Sequence, residues 1–239
     1  MYLSSEFLEW YPKSEGGAVL EVDAVFRAYE IWRHARDRVV LGATDLDCID
    51  AIGALRRAVN HRLKFLRSTY NFDHLPSTLG KKQTMERLQE FGIVRSAIIK
   101  DLLDVRNLIE HEDSEPPDIK QCRYYVDIVW YFLKSTDKLL DYRAEYLNFS
   151  HEDDKQFVEL EVDHANGWRA KIRAKVEPEL ISESVSPGAI FVDDVEKTEN
   201  STNGLFWMTG KASFTGDQLV RLARGCFSSV GYWHDDNDA

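Results

Sequence analysis

Three side chains near the middle of the chain carry the functional groups needed to cleave RNA: Arg106, Asn107 and His111. In RNA the ribose 2′-hydroxyl lies beside the scissile phosphate and serves as an internal nucleophile. The protein must then supply a group that moves protons near neutral pH and a permanent cation for the charge on the phosphorane. Histidine provides the first and arginine the second. Because one histidine takes only one proton role at a time, this set favours two copies of the site acting across a dimer two-fold.

Two apolar helical patterns flank these residues and must position them. Before and through them, apolar residues recur at steps of four, three and four, at Ile98, Leu102, Val105 and Ile109. Pro116 and Pro117 then interrupt the pattern, because two prolines cannot lie inside a helix but can open the next one. A second helix is predicted after them, with its buried face at Ile119, Cys122, Val126, Val129, Leu133, Thr136 and Leu140. The three polar residues are therefore expected at the junction of two packed helices.

At these residues the chain resembles the HEPN superfamily, whose motif is an arginine followed a few residues later by a histidine, usually with a polar residue directly after the arginine. Arg106, Asn107 and His111 fit this motif, and the resemblance spans roughly residues 18 to 149. It implies a helical bundle that dimerises so that two motifs face each other. In many members it also implies metal-independent endoribonuclease activity, often in toxin, abortive-infection or CRISPR-linked defence systems. The expected partners are an RNA substrate, a second copy of the chain, and an antitoxin or other regulatory protein.

Other roles for the same residues stay open. Arg106 can pair with Asp101, Asp104 or Glu110, while His111 caps carbonyls near a helix C-terminus, where a cation is favoured. The chain would then be a catalytically inactive HEPN scaffold for dimerisation, RNA binding or partner binding. A toxin held inactive by an antitoxin is a third hypothesis.

Hydrophobic residues recur with the period of a helix in the first part of the chain and alternate as in a strand in the second part. This change predicts an α+β protein. An N-terminal all-α, HEPN-like helical bundle is expected in residues 1–149, and a small antiparallel β-sheet domain with one helix in residues 150–239. In the bundle, an aromatic lead-in over residues 1–17 is expected to pack on the helices, and the four flanking helices are predicted at about 18–41, 44–66, 84–91 and 118–147. The first of these has an apolar face at Val22, Val25, Phe26, Tyr29 and Trp32.

The second part has the alternating period of strands. A hairpin is predicted from residues 157–162 and 168–176, turning at Asn166-Gly167, with His164 in the solvated turn. Further strands are predicted at residues 189–195 and 205–214, and Thr215 with Gln218 has the capping-box spacing that opens a last helix. No nucleotide-binding or metal-binding motif occurs here, so no second active site is expected.

The net charge of -11 opposes RNA binding, but its distribution is uneven. Residues 1–150 carry 21 Lys+Arg against 24 Asp+Glu, and the remainder carry 9 against 17. Residues 51–72 contain no acidic side chain and form a basic helix that is a candidate RNA path, through Arg56, Arg57, Arg62, Lys64 and Arg67. An ordinary solvated helix face is the alternative.

The three cysteines lie far apart and show neither a disulfide framework nor zinc spacing. The N-terminus has no basic start followed by an apolar run, and no long apolar stretch occurs. These observations predict a cytoplasmic protein with no membrane association, no cofactor and no metal.

Overall fold

The computed structural model describes residues 1–20, 23–42, 44–75, 84–95, 117–152, 155–198 and 204–229. They contain both α-helices and an eight-stranded antiparallel sheet, so the protein is of mixed α+β class. The chain divides into two compact units. The described part of the sheet unit comprises residues 1–19, 70–75, 142–152, 155–198 and 204–229, and that of the helical unit comprises residues 20, 23–42, 44–69, 84–95 and 117–141.

The helical unit contains α1 (Asp23–Leu41), α2 (Asp45–Thr69), α3 (Thr84–Glu90) and α4 (Ile119–Asp141). Helices α1, α2 and α4 pack against one another. The face predicted for α4 is buried, from Cys122 through Val129 and Leu133 to Leu140, with Ile119 partly buried beside it. Thr44 and Asp47 form a capping box at the start of α2, since the Asp47 N–H donates to the Thr44 hydroxyl and the Thr44 N–H donates to the Asp47 carboxylate.

The buried face of α1 differs from the predicted one. Val25, Ala28, Ala35 and Val39 are buried, whereas the side chain of Phe26 is 53% exposed. Ala28 and Ala35 occupy buried positions of α1, and the larger rings of Tyr29 and Trp32 are only partly buried. The prediction that Phe26 belongs to the buried face is wrong.

The sheet unit has the strand order β2-β3-β4-β5-β8-β7-β1-β6. The strands are β1 (Tyr2–Leu3), β2 (Tyr11–Val19), β3 (Tyr142–Ser150), β4 (Phe157–Asp163), β5 (Arg169–Val176), β6 (Ile181–Ser182), β7 (Ile190–Thr198) and β8 (Phe206–Ser213). One helix, α5 (Gly216–Phe227), packs against the Ser5–Glu9 turn, β2 and β3. The predicted hairpin, the two later strands and the final helix are confirmed, the helix with the Thr215 N–H donating to the Gln218 side chain at 3.2 Å.

The N-terminal segment is not a lead-in to a helix. Residues 11–19 form β2, which pairs with β3 from Tyr11 opposite Ser150 to Val19 opposite Tyr142. The predicted first helix therefore begins only at Asp23. The sequence period concealed this strand because its partner lies more than a hundred residues away, and because Gly16 and Gly17 interrupt the register with a bulge.

The last helix of the bundle ends earlier than predicted, at Asp141, and β3 follows at once. Leu140, Ala144 and Leu147 are spaced by four and three, which fits a continuing helix. In β3 both Ala144 and Leu147 are buried although they are three apart, because the register shifts between them where β3 pairs with β2. The compact sheet unit accordingly includes residues on both sides of the predicted boundary at residue 149.

Candidate functional site

The predicted catalytic residues Arg106, Asn107 and His111 lie outside the described residues, which resume at Pro117. Their mutual geometry therefore stays a prediction. The structure describes the beginning of the helix that follows them. The Gln121 N–H donates to the Asp118 carboxylate at 2.7 Å, and the Asp118 N–H donates to the Gln121 side chain at 3.3 Å. This reciprocal cap fixes where α4 begins, as the prolines before it indicated.

The first turn of α4 is also tied to α2 through two buried thiols. The Cys122 thiol donates to the carbonyl oxygen of Pro117 at 3.6 Å and lies beside the Cys48 thiol of α2. Burial, followed by the hydrogen bond to Cys48, raises the pKa of Cys122 to about 12. All three cysteines are free and buried, so these thiols act as small core side chains and not as nucleophiles.

One of the five basic residues predicted to form an exposed row on α2 is buried in the structure. Arg57, Lys64 and Arg67 are exposed and Arg56 is half-buried, but Arg62 is buried, with 1% of its surface exposed. The inclusion of Arg62 in a solvent-facing RNA path is therefore wrong. A helix advances 100° per residue, so Arg62 lies about 140° around α2 from Arg57. The sequence contained this signal, because Arg62 follows Val59 by three residues and precedes Leu66 by four, on the apolar face.

Arg62 organises a polar cluster inside the helical unit. Its guanidinium donates to the Asp137 carboxylate at 2.9 Å, to the Thr136 hydroxyl at 3.2 Å and to the Leu133 carbonyl at 3.3 Å. The Tyr29 hydroxyl donates to the other Asp137 oxygen at 2.7 Å. Burial and the hydrogen bond to Asp137 raise the pKa of Tyr29 far above its usual range, so its hydroxyl stays a donor. One carboxylate thus joins α1, α2 and α4.

His61 precedes Arg62 in the chain and lies near three cations. The pKa of His61 is lowered, first by burial and then by the positive charges of Arg27, Arg62 and Lys64. Charges from α1 and α2 therefore act on the same imidazole.

Beside the cluster, a groove of about 390 Å³ runs between α1 and α4. Its walls combine aromatic rings with charged groups, at Phe26, Tyr29, Trp32 and Arg33 on α1 and at Trp130, Lys134, Asp137 and Asp141 on α4. The Trp32 indole N–H donates to the Val126 carbonyl at 2.8 Å, which fixes that ring against α4. The groove therefore has at least one fixed wall.

A larger cleft of about 1290 Å³ opens in the sheet unit, beside the turn between β4 and β5. Both cations and carboxylates line it, including Arg143, Arg169 and Lys171 with Glu161 and Asp193. Glu161 and Lys171 lie opposite each other in the register and form an ion pair of 2.9 Å. Cross-strand pairs of this kind stabilise an exposed sheet face. The mixed signs give the cleft no net preference for an anion.

His164 lies under this cleft and is not solvated as predicted. It is 3% exposed, and its Nε2 lies 3.0 Å from the Ala144 carbonyl oxygen. The rings of Trp168 and Tyr70 meet it edge-on, at centroid distances of 4.5 and 5.5 Å. Burial, as the largest effect, lowers the pKa of His164 to about 4. The neutral ring is a core residue of the sheet unit, since the turn is a 3-10 turn over His164–Asn166 and not a two-residue hairpin.

Comparison with known proteins gives no match: no protein-family model, no curated protein and no solved structure corresponds to this chain. Within the described residues, no group of three or more His, Cys, Asp or Glu side chains is arranged to hold a metal ion. The helices in this part of the chain are also too short or too polar to cross a membrane.

Proposed function

We propose that this protein is a HEPN-type endoribonuclease that cuts RNA without a metal ion, as a homodimer. The observation that carries the proposal is the set Arg106, Asn107 and His111 directly before the helix α4. Supporting it, α4 packs with α1 and α2 in a helical unit of the kind that the resemblance implies. A role as a toxin or defence effector restrained by an antitoxin belongs to the same proposal.

In the proposed reaction the 2′-hydroxyl oxygen attacks the adjacent phosphorus. One His111 imidazole accepts the proton of the hydroxyl, and the bond from phosphorus to the 5′-oxygen breaks. The His111 of the second copy donates a proton to that leaving oxygen. Arg106 stabilises the added negative charge of the phosphorane, and Asn107 orients the histidine or the phosphate. The products are a 2′,3′-cyclic phosphate and a free 5′-hydroxyl.

The test is incubation of the purified full chain with single-stranded RNA in EDTA, with mass spectrometry of the product ends. Wild type is expected to give cyclic phosphate ends, and His111→Ala and Arg106→Ala are expected to abolish cleavage. His34→Ala and Arg123→Ala, which change exposed residues on α1 and α4, serve as matched controls. An oligonucleotide of the same sequence without 2′-hydroxyls should stay intact.

If the His111 and Arg106 variants cleave as well as wild type, a contaminating nuclease is responsible and the proposal fails. If none of the proteins cleaves, the second candidate gains support: a catalytically inactive HEPN scaffold. The observation that favours this candidate is the open cleft in the sheet unit, which is large enough for a ligand or a partner side chain. It would make the sheet unit a recognition module.

A further inference from the structure

The groove between α1 and α4 presents aromatic rings to solvent. Phe26, Tyr29 and Trp32 are three residues apart along α1, and Trp130 faces them from α4. Phe26 is 53% exposed and Trp32 and Trp130 are half-buried. Rings grouped in this way form a surface on which a planar apolar group can stack.

Cations lie among these rings. The Lys134 ammonium is 5.1 Å from the centre of the Tyr29 ring and 6.0 Å from that of Trp130, and its side chain is 52% exposed. Arg33 lines the same groove and is exposed. A flexible, exposed lysine can swing away from the rings when another group covers them, and can then pair with an anion at the rim.

The carboxylates of the groove do not cancel this charge. Asp137 is engaged by Arg62 at 2.9 Å, by the Tyr29 hydroxyl at 2.7 Å and by the exposed Lys134 ammonium at 3.3 Å. The lining itself carries two cations, Arg33 and Lys134, and two carboxylates, Asp137 and Asp141. The buried Arg62 behind the lining offsets the charge of Asp137, although the whole chain has a net charge of -11. The groove is thus locally positive in an acidic protein, which suits a ligand that combines a flat ring with a negative charge.

We infer that this groove binds one nucleotide of a single-stranded RNA, with its base stacked on Phe26 and Trp130 and its phosphate held by Arg33 and Lys134. The inference rests on the proposed function, since it places part of that substrate. A volume of about 390 Å³ matches a small ligand. A partner helix would instead need a long groove lined by aliphatic anchors, with few charges.

The experiment measures binding of a labelled single-stranded RNA to the full chain carrying His111→Ala, in EDTA and low salt, so that no cleavage interferes. Phe26→Ala is expected to raise the Kd about tenfold, because stacking on one ring is lost. Lys134→Gln is expected to raise it about threefold and to flatten its salt dependence. An RNA of equal length without bases should bind the parent His111→Ala chain no better than normal RNA binds the same chain with Phe26→Ala added.

Two matched variants control for non-specific effects. Tyr124→Ala removes an aromatic ring of similar exposure elsewhere on α4, 56% against 53% for Phe26. Lys120→Gln removes an exposed charge from the first turn of the same helix. Both should stay within about twofold of the parent Kd. Thermal unfolding identifies a variant that has lost its fold. If Phe26→Ala has lost its fold, the surface variant Lys134→Gln and the RNA without bases test whether the groove binds RNA.

Equal affinities for the Phe26 and Tyr124 variants, or tight binding of the RNA without bases, would overturn the inference. Undetectable RNA binding would also overturn the inference. A groove that binds a protein partner but no RNA would do the same. The result is separable from that of the nuclease test. If RNA binding depends on Phe26 and Lys134 but wild type does not cleave RNA, only the nuclease proposal is contradicted. If wild type cleaves RNA and neither Phe26→Ala nor Lys134→Gln changes binding or cleavage, only the groove inference is contradicted.

Discussion

The Arg62 guanidinium and the Asp137 carboxylate, 75 positions apart in the chain, form an ion pair of 2.9 Å inside the helical unit. The Arg62 side chain is 0% exposed and that of Asp137 is 19% exposed. A charge so placed depends on its partner, because water cannot replace the hydrogen bonds that it makes. The pair therefore fixes α2 against α4, the helix that follows the predicted catalytic residues.

Removing one partner of this pair should destabilise the protein strongly. Asp137→Ala is expected to lower the free energy of unfolding by about 3 to 5 kcal/mol, since it leaves a buried guanidinium unpaired. Arg62→Met combined with Asp137→Leu should cost less than Asp137→Ala alone, because no buried charge remains. Urea unfolding of Asp137→Ala and of the double variant measures this difference. Arg57→Ala, on the exposed side of α2, is the control, and an equal effect of Arg57→Ala and Asp137→Ala would contradict the assignment.

His164 should make the sheet unit sensitive to acid. Its pKa is about 4 in the folded chain against an ordinary value of 6.5, so below pH 6.5 the unfolded chain takes up a proton that the folded chain does not. Stability should decrease as the pH falls from about 6.5 to about 4, by on the order of 3 kcal/mol in total, and this group adds nothing further below that range. Urea unfolding of wild type and His164→Gln over this range gives the difference in slope. Parallel pH profiles for the two proteins would show that His164 does not titrate as argued.

Two glycines should respond to alanine in opposite directions. A Cβ at Gly17 would lie 2.1 Å from the Arg143 carbonyl oxygen, which belongs to the backbone of the neighbouring strand and cannot move aside. Gly17→Ala should therefore cost about 2 kcal/mol or more. At Gly53, in the middle of α2, the nearest atom is the Arg57 guanidinium at 3.9 Å, so Gly53→Ala should stabilise the chain by about 0.5 to 1 kcal/mol. Thermal unfolding distinguishes the two, and a neutral Gly17→Ala would show that β2 does not pair with β3 as described.

The proposed shared site makes a prediction for mixed dimers. Wild-type chain and His111→Ala chain are mixed in equal amounts under conditions in which subunits exchange. If each cleavage needs the histidine of both copies, only dimers of two wild-type chains are active, and activity per total chain should fall to about a quarter of that of wild type. If each chain instead contained a complete site, about half of the wild-type activity per total chain would remain. Native mass spectrometry confirms that exchange has occurred.

Local sequence signals were sufficient for several elements. The capping box at Thr44, the buried face of α4 and the strands β4 and β5 follow from spacing over a few residues, and all are observed. The Asn166-Gly167 pair correctly placed a reversal of the chain, although the turn is longer than two residues. The exposed basic row predicted on α2 lacks Arg62, because Arg62 lies on the apolar side of the helix. RNA binding by the other four residues stays a prediction.

What the sequence determined by itself is the mixed α+β class, since periods of two or of three to four residues are local properties. The catalytic role of Arg106, Asn107 and His111 stays a prediction. Only the tertiary structure decided the strand β2, the helix end at Asp141, and the burial of Arg62 and His164. The physical reason is that each of these depends on a distant partner. Residues 11–19 are a strand because β3 offers them hydrogen bonds. Arg62 can be buried because its guanidinium donates to the Asp137 carboxylate. His164 can be buried because its ring forms a hydrogen bond with the Ala144 carbonyl oxygen.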